Sequence, residues 1–482
     1  MEWDTVIGLE VHIQLKTKSK LFSGAATAFG SAPNSQTCFI DAGFPGVLPV
    51  LNQEAVIMAI QFGLAIQADI NDQSFFERKN YFYPDLPKGY QISQFQKPIV
   101  GNGKLTIALH DGSEKEVLIV RAHLEEDAGK SLHGVHSGYS GIDLNRAGTP
   151  LLEIVTAPCL FSSHEAVSYL KKLHQLVQFL GICDGNMQEG NFRCDVNLSL
   201  KPKGSSVLGT RTELKNLNSF RFIEKAIAYE QARHQDILEG GQQVIQETRL
   251  YNPDTHTTHA MRSKENENDY RYFPDPDLLP IQIPRFLIAE VKNNLPDLPD
   301  KIHDELKNMP SLNEEDINFI LSSPAAHHFF KSVKVQSRAP EKMIINWLKG
   351  LYAAALNEEN LTFDSPRISA ELIANLLDKL HDRVISLNNA RAIFTLLWAG
   401  ETDIEAIIER EGYQQVDDPA TWEELIIKLI QQYPEQAADY RAGKDKLLAF
   451  FVGQIMKQTK GKANPEQINA LLKKHLAGTN QF

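Results

Sequence analysis

The pattern of hydrophobic and polar positions divides the chain into a strand-rich first part and a helical second part. The stretch VIGLEVHIQL at 6–15 alternates apolar and polar residues, so that Glu10 and His12 share one face of a predicted strand. Further strands are predicted by the runs KLTIALH, EVLIVRAHL, LLEIVTA, RCDVNLSL and RTELKNL. The alternation alone fits both a solvent-facing Glu–His pair and a pair that helps to build a site.

Helical periods follow the strands and become dominant after residue 293. Helices are predicted at 53–66, at 163–181 with a serine cap at Ser163, and at 218–241 with a cap at Asn218 or Ser219. The prolines of LPIQIPRFLIAEVKNNLPDLPD mark a first domain boundary, and the acidic stretch AGETDIEAIIEREGYQQVDDPAT marks a second.

These patterns predict an α+β protein with three domains. We expect a mixed α/β domain at 1–293, an all-helical domain at 294–405 and a small helical tail at 406–482. The length of 482 residues agrees with this division, because a single core rarely extends over so long a chain.

Composition narrows the class of protein. Hydrophobic residues make up 42% of the chain and charged residues 23%, which is typical of globular proteins, and no apolar run approaches the roughly 20 residues of a membrane span. The first predicted strand begins just after MEWD, and the four cysteines are scattered without metal-binding spacing. We therefore expect a cytoplasmic protein with neither a membrane anchor nor a disulfide framework.

The charge is distributed unevenly. The net charge is −12, but residues 439–482 hold eight basic and three acidic side chains, which leaves +5 in this segment and −17 in the rest. A basic segment on an acidic body is a candidate for contact with nucleic-acid phosphates, although a solvated helix surface would look the same. The candidate contacts are Lys444, Lys446, Lys457, Lys460 and Lys462.

Several carboxylates occupy positions where a surface charge is not expected. Glu125, Glu126 and Asp127 are adjacent after an apolar run, and Glu153 interrupts the apolar run LLEIV. Such groups need cations or hydrogen bonds nearby, because an unpaired buried charge is costly. Together with the polar faces of RCDVNLSL and TELKNLN, they predict either a site for hard divalent cations or a network of structural ion pairs.

Two other motifs resemble a nucleotide-binding loop and a zinc site, but neither fits the required spacing. AGKS at 128–131 resembles the end of a P-loop, but the required glycine would fall at Leu124. The spacing of His123, His133 and His136 fits no zinc pattern and favours loop residues.

The loop ERKNYFYPDLPKGYQISQ places aromatic rings beside Lys79 and Lys88, and ENDYRYFPDPDLLPI is a second aromatic stretch. Such rings can stack on a nucleobase while lysines hold phosphate, or they can pack inward in a rigid loop. Both interpretations remain open from the sequence.

The combination of motifs resembles one family. VIGLEVHIQL, RKNYFYPDLPKGYQISQ, HLEEDAGKS, DLNRAGTPLLEIV, EGNFRCDVNLSL, GTRTELKNLNSF, QETRLY and DYRYFPDPDLLP are similar to the signature blocks of the B subunit of the tRNA-dependent Asp/Glu amidotransferases. The resemblance extends to FFVGQIMKQTKGKANPEQIN in the tail and so covers nearly the whole chain.

The resemblance implies a cradle-shaped catalytic domain followed by a helical domain and a helical tail. It implies that the protein uses ATP and Mg²⁺ to phosphorylate the side-chain carboxylate of Glu-tRNA(Gln) or Asp-tRNA(Asn), and that ammonia then displaces the phosphate. The A subunit of the family is a glutaminase that releases the ammonia from glutamine, and the C subunit joins the other two. Nothing in this chain resembles the amidase signature of the glutaminase.

The resemblance also implies roles for individual residues. The positions that match its metal-binding motifs are Glu10, His12, Glu125 and Glu153, with Asp195 and Glu213 as further candidates. Among them, Glu125, Glu10 and His12 are the candidate catalytic residues, and Lys79 and Lys88 are the candidates for ATP phosphate contact. A tRNA-binding adaptor without chemistry and a ligase of small-molecule amides are the competing hypotheses.

Overall fold

The computed structural model describes residues 2–136, 138–263, 270–414, 419–459 and 465–477. It divides into two compact units, Met1–Ile302 and His303–Phe482. The predicted boundaries after residues 293 and 405 stay predictions. None of the helices in the described ranges is both long and apolar enough to cross a membrane.

The secondary structure changes from strands to helices along the chain. The strands are β1 (Trp3–Gln14), β2 (Gln73–Ser74), β3 (Glu77–Asn80), β4 (Tyr90–Ser93), β5 (Gly103–Ala108), β6 (Glu114–Glu126), β7 (Lys130–His136), β8 (Tyr139–Asp143), β9 (Pro150–Thr156), β10 (Phe192–Pro202), β11 (Thr212–Lys215), β12 (Glu247–Asn252), β13 (Thr257–Ser263), β14 (Phe273–Pro274) and β15 (Ile281–Gln282). The helices of the first part are α1 (Gln53–Ala65), α2 (Ser163–Phe179), α3 (Phe220–Glu239), α4 (Arg285–Asn293) and α5 (Pro299–Lys307). Those that follow are α6 (Glu314–Ile320), α7 (Pro324–Gln336), α8 (Glu341–Trp347), α9 (Ala353–Glu358), α10 (Ala370–His381), α11 (Leu387–Trp398), α12 (Ile404–Glu411), α13 (Pro419–Gln432), α14 (Pro434–Arg441), α15 (Leu447–Gln458) and α16 (Pro465–Leu476).

One large sheet organises the first unit. Within the described residues, it has eleven strands in the order β13-β12-β11-β10-β1-β9-β6-β4-β3-β14, with β5 paired to β6. Its pairs are antiparallel except β11 with β12. A mixed sheet with covering helices, followed by an all-helical region, confirms the predicted α+β class.

The two faces of this sheet have opposite character. Leu9, Val11 and Ile13 of β1 are buried in the main core together with apolar residues of α1, α2 and α3. The alternate residues of β1 therefore face away from the helices, and Glu10 and His12 are among them. The alternation of side chains along β1 thus places apolar residues in the core and polar residues on the opposite face of the sheet.

The six predicted strands are present, and the three predicted helices agree closely with the structure. The cap of α2 is wrong by one residue, since Ser162 rather than Ser163 accepts the hydrogen bond from the amide of Glu165. The cap of α3 is Ser219, one of the two predicted candidates. The short strands β2–β4, β14 and β15 and the hairpins β7–β8 and β12–β13 were missed, because runs of two to seven mainly polar residues carry little periodic signal.

The second unit is helical, with a π-helical turn at Leu348–Tyr352 between α8 and α9. Its last helices, α13 to α16, share an apolar cluster of their own. The buried members of this cluster are Trp422, Ile426, Leu429, Ala437, Phe451, Ile455, Ile468, Leu472 and Leu476.

Candidate active site

The polar face of the sheet lines a cavity of about 1280 Å³. All six candidate metal ligands line it, namely Glu10, His12, Glu125, Glu153, Asp195 and Glu213. They come from five strands, β1, β6, β9, β10 and β11, and they meet because these strands are neighbours in the sheet. The structure therefore brings together residues that lie up to about 200 positions apart.

A first cluster contains His12, Glu125 and Glu153. His12 is the direct cross-strand partner of Glu153, and its Nε2 lies 3.2 Å from Glu153 Oε2 and 3.3 Å from Glu125 Oε1. Ser93 donates its hydroxyl to Glu125 Oε2 at 3.2 Å. His123 joins the same group, with its Nε2 3.3 Å from Glu153 Oε2. Two imidazoles and two carboxylates thus share one buried spot.

The charges of this cluster are strongly coupled. Burial lowers the pKa of His12, but the charge of Glu153 and hydrogen bonds with Glu125 and Glu153 outweigh it and raise that pKa from 6.5 to about 10. Burial likewise raises the pKa of Glu125, but hydrogen bonds from His12 and His123 more than offset it, so that this pKa is lowered. The pKa of Glu153 is lowered against its burial by the charges of His123 and His12. The carboxylates are therefore ionised at neutral pH.

A second cluster contains Glu10, Asp195 and Glu213. Glu10 faces Asp195 across the β1–β10 pair, and Glu213 faces Asn197 across the β10–β11 pair. Asn197 donates its amide to Glu10 Oε1 at 2.8 Å, and Thr248 donates its hydroxyl to Glu213 Oε2 at 2.7 Å. These partners fix the carboxylates in place.

Lys215 is the cation within the second cluster. Its ammonium group contacts Asp195 and lies 3.5 Å from Glu213 Oε1. Burial lowers the pKa of Lys215, but the charges of Asp195 and Glu213 outweigh this effect and raise it. The cluster therefore holds three carboxylates against one permanent positive charge.

Both clusters fit divalent cations. In each, one ligand atom from every residue lies within 4.8 Å of the others, which is a spacing that one ion can bridge. Carboxylate oxygens are the ligands of Mg²⁺ and Ca²⁺, and an imidazole widens the choice to Mn²⁺. The first cluster also satisfies its own charges through the two histidines, so an ion-pair network is the alternative use of the same atoms.

The three adjacent acids at 125–127 interact with different partner groups. Glu126 contacts the ammonium group of Lys88 and accepts the amide of Ile92 at 2.9 Å. Asp127 accepts from Arg193 at 2.8 Å. Each of the three acids therefore has its own partner, which explains how they can be neighbours in the chain.

The two candidate ATP-binding lysines differ in position. Lys79 lines the cavity, where its ammonium group lies 4.9 Å from the centroid of the Tyr270 ring. Burial lowers the pKa of Lys79, but the charges around it, including Glu125 and Glu153, raise it overall, so that it is a cation at neutral pH. Lys88 is bound to Glu126 and does not belong to the cavity lining.

His123 is the functional candidate that sequence reasoning missed. Its prediction as a loop residue is wrong, because it lies buried in β6 and contacts the first cluster. His133 and His136, which were expected in a loop as well, lie in β7. The signal was available, since His123 and Glu125 are two residues apart and so share one face of a strand.

Two of the three adjacent acids belong to the strand formed by the preceding apolar run. Glu125 and Glu126 lie inside β6, which extends to Glu126. The neighbouring AGKS segment runs into β7 rather than into a helix, unlike a P-loop.

The candidate tail lysines are only partly described. Lys444 is paired with Asp439 at 2.8 Å on an exposed surface, and Lys446 and Lys457 lie at the two ends of α15. Lys460 and Lys462 lie outside the described residues.

Comparisons with known proteins agree over nearly the whole chain. A family model described as the GatB/GatE catalytic domain matches residues 5–289, and one described as the GatB domain matches residues 328–476. The B subunit of the aspartyl/glutamyl-tRNA(Asn/Gln) amidotransferase from Legionella pneumophila (strain Paris) is 74% identical over 476 residues, which are 99% of this chain and 100% of the relative. Proteins of the same name from Thioalkalivibrio sulfidiphilus and Coxiella burnetii are 56% and 54% identical, each over 99% of this chain and 100% of the relative.

Proposed function

The chain belongs to the GatB family, and from this premise we propose that it is the transamidating subunit of a tRNA-dependent amidotransferase. In this proposal it converts Glu-tRNA(Gln) or Asp-tRNA(Asn) to Gln-tRNA(Gln) or Asn-tRNA(Asn). The single observation that carries the chemistry is the pair of carboxylate clusters side by side in one cavity.

The reaction requires activation of a carboxylate, which is a poor acylating group. The γ-phosphoryl group of ATP is transferred to a side-chain carboxylate oxygen of the aminoacyl group, and ADP leaves. Ammonia then attacks the acyl carbon, and inorganic phosphate leaves with the carboxylate oxygen. Mg²⁺ held by the carboxylate clusters would neutralise part of the negative charge of the phosphate and the carboxylate and so reduce their mutual repulsion.

The residues of the two clusters are proposed to hold the metal ions. His12, Glu125 and Glu153 form one set of ligands, and Glu10, Asp195 and Glu213 form the other. Asn197, Thr248 and Ser93 orient the carboxylates by hydrogen bonds, as outer-shell groups commonly do. Glu125, Glu10 and His12 are in this view the residues on which activity depends most.

Further parts of the chain are proposed to bind substrates and partners. Lys79, a residue of the cavity lining, is proposed to contact a phosphate with its ammonium group, and Lys88, which is paired with Glu126, is the second proposed contact. Lys444, Lys446, Lys457, Lys460 and Lys462 are proposed to contact tRNA phosphates. The proposed partners are the two other components of the amidotransferase, which are the glutaminase and the connecting subunit, and the cytoplasm is the proposed location.

The decisive experiment measures ADP formation by the chain in complex with the glutaminase and the connecting subunit. We expect ADP release that depends on Glu-tRNA(Gln) or Asp-tRNA(Asn) and that continues with free ammonium when the glutaminase is inactive. A rate of ADP formation that does not change when the charged tRNA is added contradicts the proposal. ADP formation with free glutamate and no tRNA identifies a small-molecule ligase instead.

Replacement of Glu125 distinguishes the hypothesis that the chain is an enzyme from the hypothesis that it is a tRNA-binding adaptor. Glu125→Ala should abolish phosphorylation but leave tRNA binding intact, because the basic tail is unchanged. Phe286→Leu, at an exposed position of α4, is the matched control and should retain activity. Full activity in Glu125→Ala would identify the chain as a tRNA-binding adaptor.

A further inference from the structure

Five aromatic rings form a continuous array along one side of the cavity. Tyr83, Tyr81, Tyr270, Tyr272 and Phe95 follow one another in ring contact, and all of them line the cavity. Phe95 and Tyr272 are stacked with centroids 4.4 Å apart and an interplanar angle of 12°. The other contacts are edge-to-face, with centroids 6.1 or 6.2 Å apart.

These rings do not serve the apolar core of the first unit. Among the described residues, the main core and the side chains packed against it include none of the five. Tyr81, Phe95, Tyr270 and Tyr272, which we call the aromatic wall, are half-buried, and Tyr83 is 50% exposed. Inward packing, one of the two interpretations left open by the sequence, therefore does not describe this surface.

The aromatic wall is held in place by hydrogen bonds to its backbone. Both backbone amides at Phe95 and Gln96 donate to Glu77 Oε2, at 2.9 and 2.8 Å, and Glu77 is fully buried. Asn80 donates its amide to the carbonyl oxygens of Tyr270 and Arg271, at 3.0 and 2.9 Å. The rings are thus positioned before any ligand arrives, which reduces the entropy lost on binding.

The aromatic wall adjoins the first cluster. Phe95 is two residues beyond Ser93, whose hydroxyl donates to Glu125, and Lys79 reaches toward the wall with its ammonium group 4.9 Å from the Tyr270 centroid. An aromatic surface with the near-parallel rings of Phe95 and Tyr272, next to a cation and carboxylates, suits a molecule that has an aromatic ring at one end and anionic groups at the other. The cavity, at about 1280 Å³, exceeds the volume of a typical single-ligand pocket.

We propose that the aromatic wall binds an adenine ring by stacking. The inference rests on the proposed function, which supplies two sources of adenine: ATP and the 3′-terminal adenosine of the charged tRNA. Both would place the adenine on the wall and their reacting groups toward the first cluster. Stacking of a base on aromatic side chains typically changes affinity by about 5- to 150-fold for each base.

The test uses the Tyr272→Leu/Phe95→Leu double variant in the complex with the glutaminase and the connecting subunit. Isothermal titration measures ATP affinity, and filter binding measures the affinity for tRNA(Gln) transcripts with and without the terminal adenosine. We expect about a tenfold or greater loss for ATP, or for the complete transcript alone. The first result assigns the wall to ATP, and the second assigns it to the tRNA end.

Two controls separate stacking from general damage. Tyr272→Phe should retain wild-type affinity, because it keeps the ring, and Phe286→Leu changes an exposed ring outside the cavity lining. Unchanged affinity of the double variant for both ATP and the complete transcript overturns the inference. An equal loss for both transcripts with unchanged ATP affinity does so as well, because neither source of adenine then depends on the wall.

The proposed function is tested separately on the wild-type complex. ADP formation that depends on charged tRNA supports the function whatever the wall does, and its absence contradicts the function. A complex that shows this activity, and whose double variant binds both ligands normally, therefore overturns the stacking inference alone.

Discussion

His12 and Glu10 illustrate how two side chains of one strand serve different neighbours. They are two residues apart on β1, yet His12 faces Glu153 of β9 and Glu10 faces Asp195 of β10. The two positions therefore belong to separate clusters, which have no ligand in common. This division predicts that His12 contributes to one class of metal site and Glu10 to another.

Single substitutions should remove the sites one at a time. His12→Gln should weaken Mn²⁺ binding at one class of site and Glu10→Gln at the other, each by more than about tenfold, because one of three protein ligands is lost. Electron paramagnetic resonance titration with Mn²⁺ counts the remaining sites. Two unchanged classes in both variants would favour the ion-pair network over metal sites.

The raised pKa of His12 predicts a proton-linked metal site. With its pKa raised from 6.5 to about 10, protonated His12 stabilises the metal-free fold below pH 6.5, and this contribution is lost as the pH rises through about 10. Glu125 and Glu153, whose pKa values are lowered, contribute above about pH 4.5, and their contribution is lost as the pH falls through the lowered values.

A metal ion requires the neutral imidazole, so binding at pH 8 should release about one proton from His12. Calorimetry of Mn²⁺ binding in buffers of different ionisation enthalpy measures this release, and His12→Gln is the control in which it should disappear. Affinity should rise with pH up to about 10 in the wild type. A release of equal size in the variant assigns the proton to another group.

At the scale of elements, alternation identified the strands but not which of them are adjacent. The pattern of β1 showed that Glu10 and His12 share a face, because the side-chain period of a strand is two. It could not show that β9 and β10 flank β1, since strand order depends on pairings across about 140 to 200 residues. His123 was missed although it lies in the predicted strand EVLIVRAHL, because it was judged by its spacing to His133 and His136 and not by the strand face that it shares with Glu125.

A buried ion pair anchors the loop that follows β1. Lys20 is fully buried, its ammonium group lies 2.9 Å from Asp41 Oδ2, and it also donates to the carbonyl of Leu144 at 3.2 Å. Asp41 accepts further hydrogen bonds from Ser23 and from the amide of Cys38. The pair thus fastens residues 20–41 to the segment that carries Arg146, a residue of the cavity lining.

Removal of one partner should destabilise the first unit strongly. Lys20→Met leaves an unpaired buried carboxylate and should cost about 3–5 kcal/mol of unfolding free energy, measured by urea denaturation followed by tryptophan fluorescence. Lys203→Met breaks the exposed pair with Glu2 and should cost less than about 1 kcal/mol. Equal losses in the two variants would contradict the role of burial.

At the scale of the whole molecule, the uneven charge predicts nucleic-acid contact at the basic end of an otherwise acidic chain. The tail helices α13 to α16 have their own apolar cluster, so the described part of the basic segment belongs to a folded group of helices. Composition predicted this asymmetry directly, since charge can be counted without knowledge of the fold. Which lysines meet phosphates depends on the path of the tRNA, and the sequence does not contain that path.

Deletion of the tail should therefore weaken tRNA binding in a salt-dependent way. A chain that ends at residue 414 keeps α12 whole and should show a raised KM for Glu-tRNA(Gln), while its KM for ATP stays near that of the full chain. The logarithm of tRNA affinity against that of salt concentration should lose about 0.7–0.9 in slope for each phosphate contact removed, because fewer counterions are released on binding. Substitution of Lys444, Lys446 and Lys457 by glutamine in the full chain is the matched variant and should flatten the slope without removing the helices. An unchanged slope in both proteins would mean that the tail does not contact phosphates, and that the cavity-side surface of the first unit carries the binding of tRNA instead.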